Sequence, residues 1–297
     1  MLAFVLLLAV TAVWGVTFVQ VKDAVAIYPL FAFLAVRFAI ASLTLAPVAA
    51  GRRRRLEPGG VRAGIALGLL LAAGYALQTA GLARTTVSAA GFVTGLYVVL
   101  TPILALLLFR ARIGLAVWAG VALATAGLAM LSGVEAGSPS GDLLVLGGAA
   151  AFALQIVLME RWAPRFDAMA LTFVEMLAAF GGFLAVALLL RDLPVPRGWT
   201  VWGALLVTGV FASALAYLVQ TWAQRRTSAT RIAVIFAMEP VFAGLFGYLL
   251  AGDRLGVLGW AGCAVILGGI ALAEPAAGET LRRLVLRGAP RVRSSVP

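Results

Sequence analysis

Two stretches decide the fold: WAGVALATAG at residues 118–127 and WAGCAVILGG at residues 260–269. Set 142 residues apart, they place Trp118 on Trp260, Gly120 on Gly262 and Gly127 on Gly269. Nearer the N-terminus an offset of 138 places Trp14 on Phe152, Arg37 on Glu175 and Pro102 on Pro240. Residues 14–118 and 152–260 therefore read as two copies of one design. Five spans per copy send the second copy into a bilayer from the opposite side. That is the inverted repeat of secondary transporters, whose substrate site lies near the midplane between the halves.

Composition supports a membrane reading. Soluble domains carry about 25% charged residues, whereas this 297-residue chain has 12% charged and 63% hydrophobic residues and a mean hydropathy of +1.06. The expected fold class is an all-α integral membrane protein of ten transmembrane helices arranged as two inverted five-helix repeats. Apolar runs predict spans near 2–22, 30–50, 62–82, 88–109, 114–132, 141–160, 168–190, 199–222, 228–250 and 256–273,. The domains follow: 1–137 and 138–275 as the repeats, and 276–297 as a basic cytoplasmic tail. No soluble domain is expected between the spans.

A cytoplasmic N-terminus puts Arg52–Arg55, Arg62, Arg110, Arg112, Arg161, Arg165, Arg225, Arg226, Arg231 and the tail arginines inside. Only Lys22, Arg84, Arg191, Arg197 and Arg254 then lie outside. The bias predicts both termini in the cytoplasm and an inner-membrane, multi-pass location. The net charge of +11 is spread over short loops facing anionic lipid, so no nucleic-acid partner is expected. Ala24-Val25-Ala26 resembles a signal-peptide cleavage site. The first span nevertheless lacks a charged n-region and has a repeat counterpart in the sixth, so it is read as a retained span.

Without histidine there is no HExxH zinc site, no Ser-His dyad and no histidine-held haem,. Lys22 is the only lysine and ends the first span, so no Schiff base is expected inside the bundle. No aspartates are paired closely enough for an Mg²⁺ motif. The lone Cys263 suits packing,. The chain reads as a non-enzyme with no cofactor and no metal, and its partners as a small-molecule substrate and the bilayer.

Three ionisable residues fall well inside spans: Arg37, Glu175 and Glu239. At a helix centre each costs about 2.5–3.5 kcal/mol on insertion scales, so each should face the bundle or a wet cavity. They either handle the polar head of a substrate or a proton, or lock helices together. Counting 1.5 Å per residue leaves about 10 Å of height between Arg37 and Glu175. Glu239 is then the better partner for Arg37, directly or through water, and Glu175 lies nearer the cytoplasmic surface, open to hydration. Pro102 and Pro240 each remove a helix hydrogen bond, predicting paired kinks that serve gating or plain curvature.

Polar residues also recur on helix faces. Tyr75, Gln78 and Thr79 share one, Tyr217, Gln220 and Thr221 repeat it, Tyr97 and Thr101 share another, and Phe152 neighbours Gln155,. Such faces point inward, toward a cavity or toward other helices. Trp14 stands alone near mid-membrane, with Phe18 four residues on as an apolar wall or ordinary packing. Trp118, Trp162, Trp199, Trp202, Trp222 and Trp260 sit near span ends as interface anchors,. Gly120, Gly127, Gly262 and Gly269 suit close helix contact within the bundle or between protomers.

These residues resemble the drug/metabolite transporter superfamily, EamA type. The marks are Trp14-Gly15 with Phe18, Arg37-Phe38, Leu100-Thr101-Pro102, Tyr217 with Trp222, and above all Met238-Glu239-Pro240-Val241-Phe242-Ala243. Gly252-Asp253-Arg254-Leu255 and Gly259-Trp260-Ala261-Gly262 follow. Arg110-Ala111-Arg112 departs from the Gly-Glu-Arg common in the family, and Asp253 stands where glutamate is usual, so that loop carboxylate is treated as structural. The chain is most similar to the amino-acid and metabolite exporters, including the YddG-type aromatic amino-acid exporters. The resemblance implies a basket-like ten-helix bundle with a central cavity lined by the first four helices of each half and peripheral fifth and tenth helices. It implies export of small amphipathic metabolites, hydrophobic or aromatic amino acids, by alternating access. Efflux of cationic drugs using a membrane carboxylate is one alternative, and a non-transporting receptor or scaffold another.

Overall fold

The structure is a computed structural model that describes residues 2–52, 55–132, 138–246 and 256–273. The Gly252–Leu255 motif and the tail lie outside the described residues. Among the described residues every regular element is helical. In chain order these are α1 (Leu2–Ile27), α2 (Leu30–Ala50), α3 (Pro58–Leu82), α4 (Val87–Gly95), α5 (Tyr97–Phe109), α6 (Leu115–Ser132), α7 (Pro139–Trp162) and α8 (Ala168–Leu189). Then come α9 (Trp199–Leu206), a π-helical segment (Val207–Leu215), α10 (Ala216–Gln224), α11 (Ala229–Phe236), α12 (Met238–Phe246) and α13 (Val257–Ala273).

Local chemistry marks the starts. Pro58 and Pro139 open α3 and α7, where a missing N–H costs nothing,. Thr86, Asp167 and Ser228 cap α4, α8 and α11 by accepting backbone N–H groups of Ala89, Ala170 and Arg231,. Among the described residues seven helices are long and apolar enough to cross a membrane, with α4 and α5 counted together and likewise α9, the π-helical segment and α10. Residues 115–131 and 257–273 form shorter apolar helices. The expected ninth span is divided at Ala237 into α11 and α12.

Pro240 lies in the first turn of α12, so the interruption just before it follows from the proline,. The fourth span differs. Its interruption is at Leu96, while Pro102 sits inside the continuous α5, so the predicted kink is displaced six residues from its proline. The π segment in the eighth span was not anticipated: no proline marks it and VTGVFASAL looks like ordinary helix.

Glycines set the closest approaches. A Cβ on Gly120 would lie 2.6 Å from the Gly269 carbonyl oxygen, and one on Gly269 would lie 2.7 Å from that of Gly120. Gly127 and Gly262 answer one another in the same way, at 2.6 Å each. Chain direction 120 to 127 thus runs along 269 to 262, and α6 and α13 are antiparallel. These glycines make their contacts within one chain. Elsewhere Gly15 brings α1 against the Glu239 and Ala243 backbone of α12, and Gly68 brings α3 against the Glu175 backbone of α8. Phe33, Phe38 and Phe183 are fully enclosed.

Cross-links identify the two ends of the bundle. At one, Lys22 Nζ donates to the Thr85 carbonyl, and the Thr85 hydroxyl donates to Asp142. At the other, Glu160 accepts the Ala229 N–H at 2.8 Å, and Asp167 accepts Arg52 at 2.9 Å and Arg55 at 3.4 Å. Burial pushes the Asp167 carboxyl up, but the Ala170 N–H and then Arg52 and Arg55 outweigh it and hold the group below its ordinary range. A lowered carboxyl contributes stability in full above its unfolded pKa of about 3.9 and loses it as pH falls through the folded value. Because both arginines are largely exposed, the cap supplies most of the effect, about 1 kcal/mol,. Asp167→Ala, which removes the cap acceptor, is therefore expected to lower the melting temperature at pH 7 by about 2–4 °C. The difference from wild type should shrink when the melts are repeated in acid, and a pH-independent gap would assign the effect to packing instead.

Candidate functional site

A cavity of about 680 Å³, its mouth included, opens between the halves of the chain. Its wall includes Trp14, Phe18, Arg37, Tyr75, Gln78, Thr79, Tyr97, Phe152, Gln155, Tyr217, Gln220 and Glu239. Thr101 and Glu175 do not line it. The Thr101 hydroxyl is buried without a partner, and Glu175 is fully buried behind Gln155 rather than hydrated near a surface. The depth estimate fixed the height of Glu175 but not the helices packed around it.

Sequence reasoning missed Thr17, Val21, Leu82, Thr94, Ile156 and Phe236. Three of the six were within reach of the same spacing argument. Thr17 and Val21 continue the Trp14–Phe18 face of α1, and Leu82 lies one turn beyond Gln78 on α3.

Aromatic rings and a buried cation share the wall. Trp14 packs edge-on against Phe236, with ring centroids 4.8 Å apart, and its indole N–H donates to the Ala212 carbonyl at 2.8 Å. Tyr75 packs edge-on against Phe152 at 5.1 Å. Arg37 is 3% exposed. Its Nε donates to Ser213 Oγ at 2.9 Å and its Nη2 to Tyr75 Oη at 3.1 Å. The Tyr217 hydroxyl also donates to Tyr75 Oη, at 3.1 Å. Glu239 accepts a long 3.4 Å bond from the Tyr97 hydroxyl.

Of the expected Arg37–Glu239 partnership, direct or through water, the direct ion pair is not formed. Among the described residues the ion pairs are those of Asp167, and Arg37 is held by neutral hydroxyls. Both side chains thus line one cavity without a direct contact. Trp199 and Trp202, by contrast, are exposed, at 82% and 38%.

One end of the cavity is tied by amides. Gln155 Nε2 donates to Glu175 at 2.7 Å, and Gln220 Nε2 donates to Gln155 and Gln224 at 3.0 Å. Gln224 Nε2 donates to the Ile156 carbonyl at 2.7 Å. Toward the other end the wall reaches Leu82, the last residue of α3. No group of three potential metal ligands occurs among the described residues.

A bundle of long apolar helices around a polar and aromatic cavity defines a multi-pass membrane protein built to hold a small molecule. The model of the EamA-like transporter family matches residues 1–133 and again 139–273. The chain belongs to that family of transporters. It is 33% identical over 258 residues to an uncharacterized transporter of Archaeoglobus fulgidus, covering 87% of this chain and 81% of the relative. A solved crystal structure superposes with a TM-score of 0.77 over 95% of this chain and 98% of the other. At 22% identity that likeness shows the fold.

Proposed function

We propose that the protein is an inner-membrane exporter of small amphipathic metabolites, namely hydrophobic or aromatic amino acids, working by alternating access of two inverted halves, 1–137 and 138–275. Ten spans with both termini cytoplasmic follow from the arginine bias. The reciprocal glycine contacts of α6 and α13 support the inversion, since residues equivalent by the repeat meet antiparallel,. Tyr75 and Tyr217, equivalent at an offset of 142, meet hydroxyl to hydroxyl, as residues beside a pseudo-twofold axis would. Trp14 against Tyr217 mirrors Phe152 against Tyr75. Pro102 and Pro240 then belong to the gating helices, where interrupted backbone adjusts at low cost.

The observation that carries the substrate reading is one cavity presenting a fixed cation, a carboxylate and aromatic walls at mid-helix depth. Cationic drugs would find Glu239 but also the permanent charge of Arg37 beside them, which disfavours that reading. Proteoliposome uptake of amino acids, nucleosides and lipophilic cations tests it. Saturable uptake of hydrophobic or aromatic amino acids is expected, and exclusive uptake of cations would overturn it.

A further inference from the structure

Arg37 cannot discharge itself, and its described partners, Ser213 and Tyr75, are neutral,. Those bonds use two of its five N–H groups. A helix-locking role would be complete with them. It leaves unexplained a buried cation with no anion in ion-pair reach on a cavity wall,. Tyr75 Oη accepts from both Arg37 and Tyr217, so its own hydrogen remains for a further acceptor. An anionic group entering the cavity would meet guanidinium N–H groups and a phenol O–H together.

The π segment explains how that arrangement is held. Two consecutive residues, Ala212 and Ser213, accept the Trp14 indole N–H and the Arg37 Nε–H. At the 142 offset its equivalent, residues 65–73 of α3, is regular α-helix. There the repeat partners of Trp14 and Arg37 are Phe152 and Glu175, which have no side-chain N–H to place. The irregular helix lies in the second half, packed against the first-half helices whose two cavity donors need acceptors, as π-bulges commonly do at functional sites,.

We infer that Arg37 with Tyr75 is a carboxylate seat, that Glu239 with Tyr97 is an ammonium seat, and that Ser213 is the positioning residue that aims the guanidinium. This rests on the amino-acid reading above and specifies which groups of the substrate are read. The two charges of an α-amino acid share one carbon, so such a zwitterion bridges Arg37 and Glu239 where no direct pair forms. A monocation would leave Arg37 uncompensated, and a monoanion would leave Glu239 so. The side chain then lies against Trp14, Phe152 and Phe236,.

The test uses the full chain in proteoliposomes with whichever of L-phenylalanine, L-tryptophan or L-leucine is carried best. The competitors are its decarboxylated amine and its deaminated acid. Wild type is expected to prefer the zwitterion over either analogue by at least about tenfold in apparent KM. Ser213→Ala should raise that KM about tenfold with Vmax little changed, and erode discrimination against the amine only. Ser213→Thr, which keeps the hydroxyl, should restore it. Glu239→Gln should erode discrimination against the acid only. Because Arg37→Ala can fail through misfolding, the Ser213 and Glu239 variants carry the decision, with thermal unfolding checked alongside. Equal transport of amine and zwitterion by wild type, or Ser213→Ala weakening all three ligands alike, overturns the inference while leaving the exporter reading standing. Uptake of none of the three amino acids defeats the exporter reading itself, and the seats with it.

Discussion

Gly127→Leu is expected to leave no recoverable folded protein. A Cβ there would lie 2.6 Å from the Gly262 carbonyl oxygen and 2.8 Å from the Ile266 backbone nitrogen. Backbone atoms of a membrane helix cannot rotate aside as a side-chain tip does, so α6 and α13 would have to separate. Separation loses the Gly120–Gly269 contact as well, because both lie on one antiparallel seam. Overpacking typically costs about 1–3 kcal/mol even where side chains can adjust, and here neither backbone can. The control lies on the partner helix α13: a Cβ on Gly268 meets nothing within 4 Å. Gly268→Ala should be neutral or slightly stabilising through helix propensity. The comparison is read from the monodisperse peak in detergent size-exclusion chromatography. Normal yield of Gly127→Leu would mean that α6 and α13 do not meet at this seam.

The glycine stripes were legible in the sequence because the same three residues, Trp-Ala-Gly, open both stretches and the glycines recur one stripe later, but whether they met within the bundle or between protomers was not. Seven of the spans were legible as long apolar helices, for the physical reason that a helix satisfies its own backbone hydrogen bonds in lipid. The polar faces of α3 and α10 were legible because polar side chains in lipid must turn inward. What escaped depended on partners distant in sequence. Nothing in residues 207–215 announces a π-helix, because the donors it serves, Trp14 and Arg37, come from α1 and α2. A direct Arg37–Glu239 contact was inferred from height alone, yet Ser213 and Tyr75 take the guanidinium. The break at Leu96 escaped because it is not at a proline.

Gln155→Ala is expected to open the amide-tied end of the cavity. Gln155 donates to Glu175 and accepts from Gln220, joining α7 to α8 and α10, while Gln224 returns to the α7 backbone. Glu160 adds a tie from α7 to the first N–H of α11, where a carboxylate complements the helix N-terminus,. The repeat partners at the opposite end are Thr17, Gln78, Leu82 and Lys22 in place of Gln155, Gln220, Gln224 and Glu160. Of these, Gln78 bonds Thr94 and Lys22 a carbonyl, and Leu82 has no amide to offer. The buried amide chain is therefore present at one end, whereas the other end is held by the Lys22–Thr85–Asp142 links at its rim, and on the proposed topology the amide-latched end is cytoplasmic. Intramembrane hydrogen bonds average about 0.6 kcal/mol. Losing two, with Glu175 stranded, shifts the two-state balance by roughly tenfold if the bonds belong to this conformer alone. In a Cys263→Ala background, Ile156→Cys should react about tenfold faster with a membrane-impermeant maleimide from the cytoplasmic side once Gln155→Ala is added. Thr17→Cys should become slower from the outside in the same protein, because opening one end closes the other. Faster labelling at both sites would indicate loosening rather than exchange of gates, and unchanged labelling in a folded variant would show that the amides are packing and not a latch.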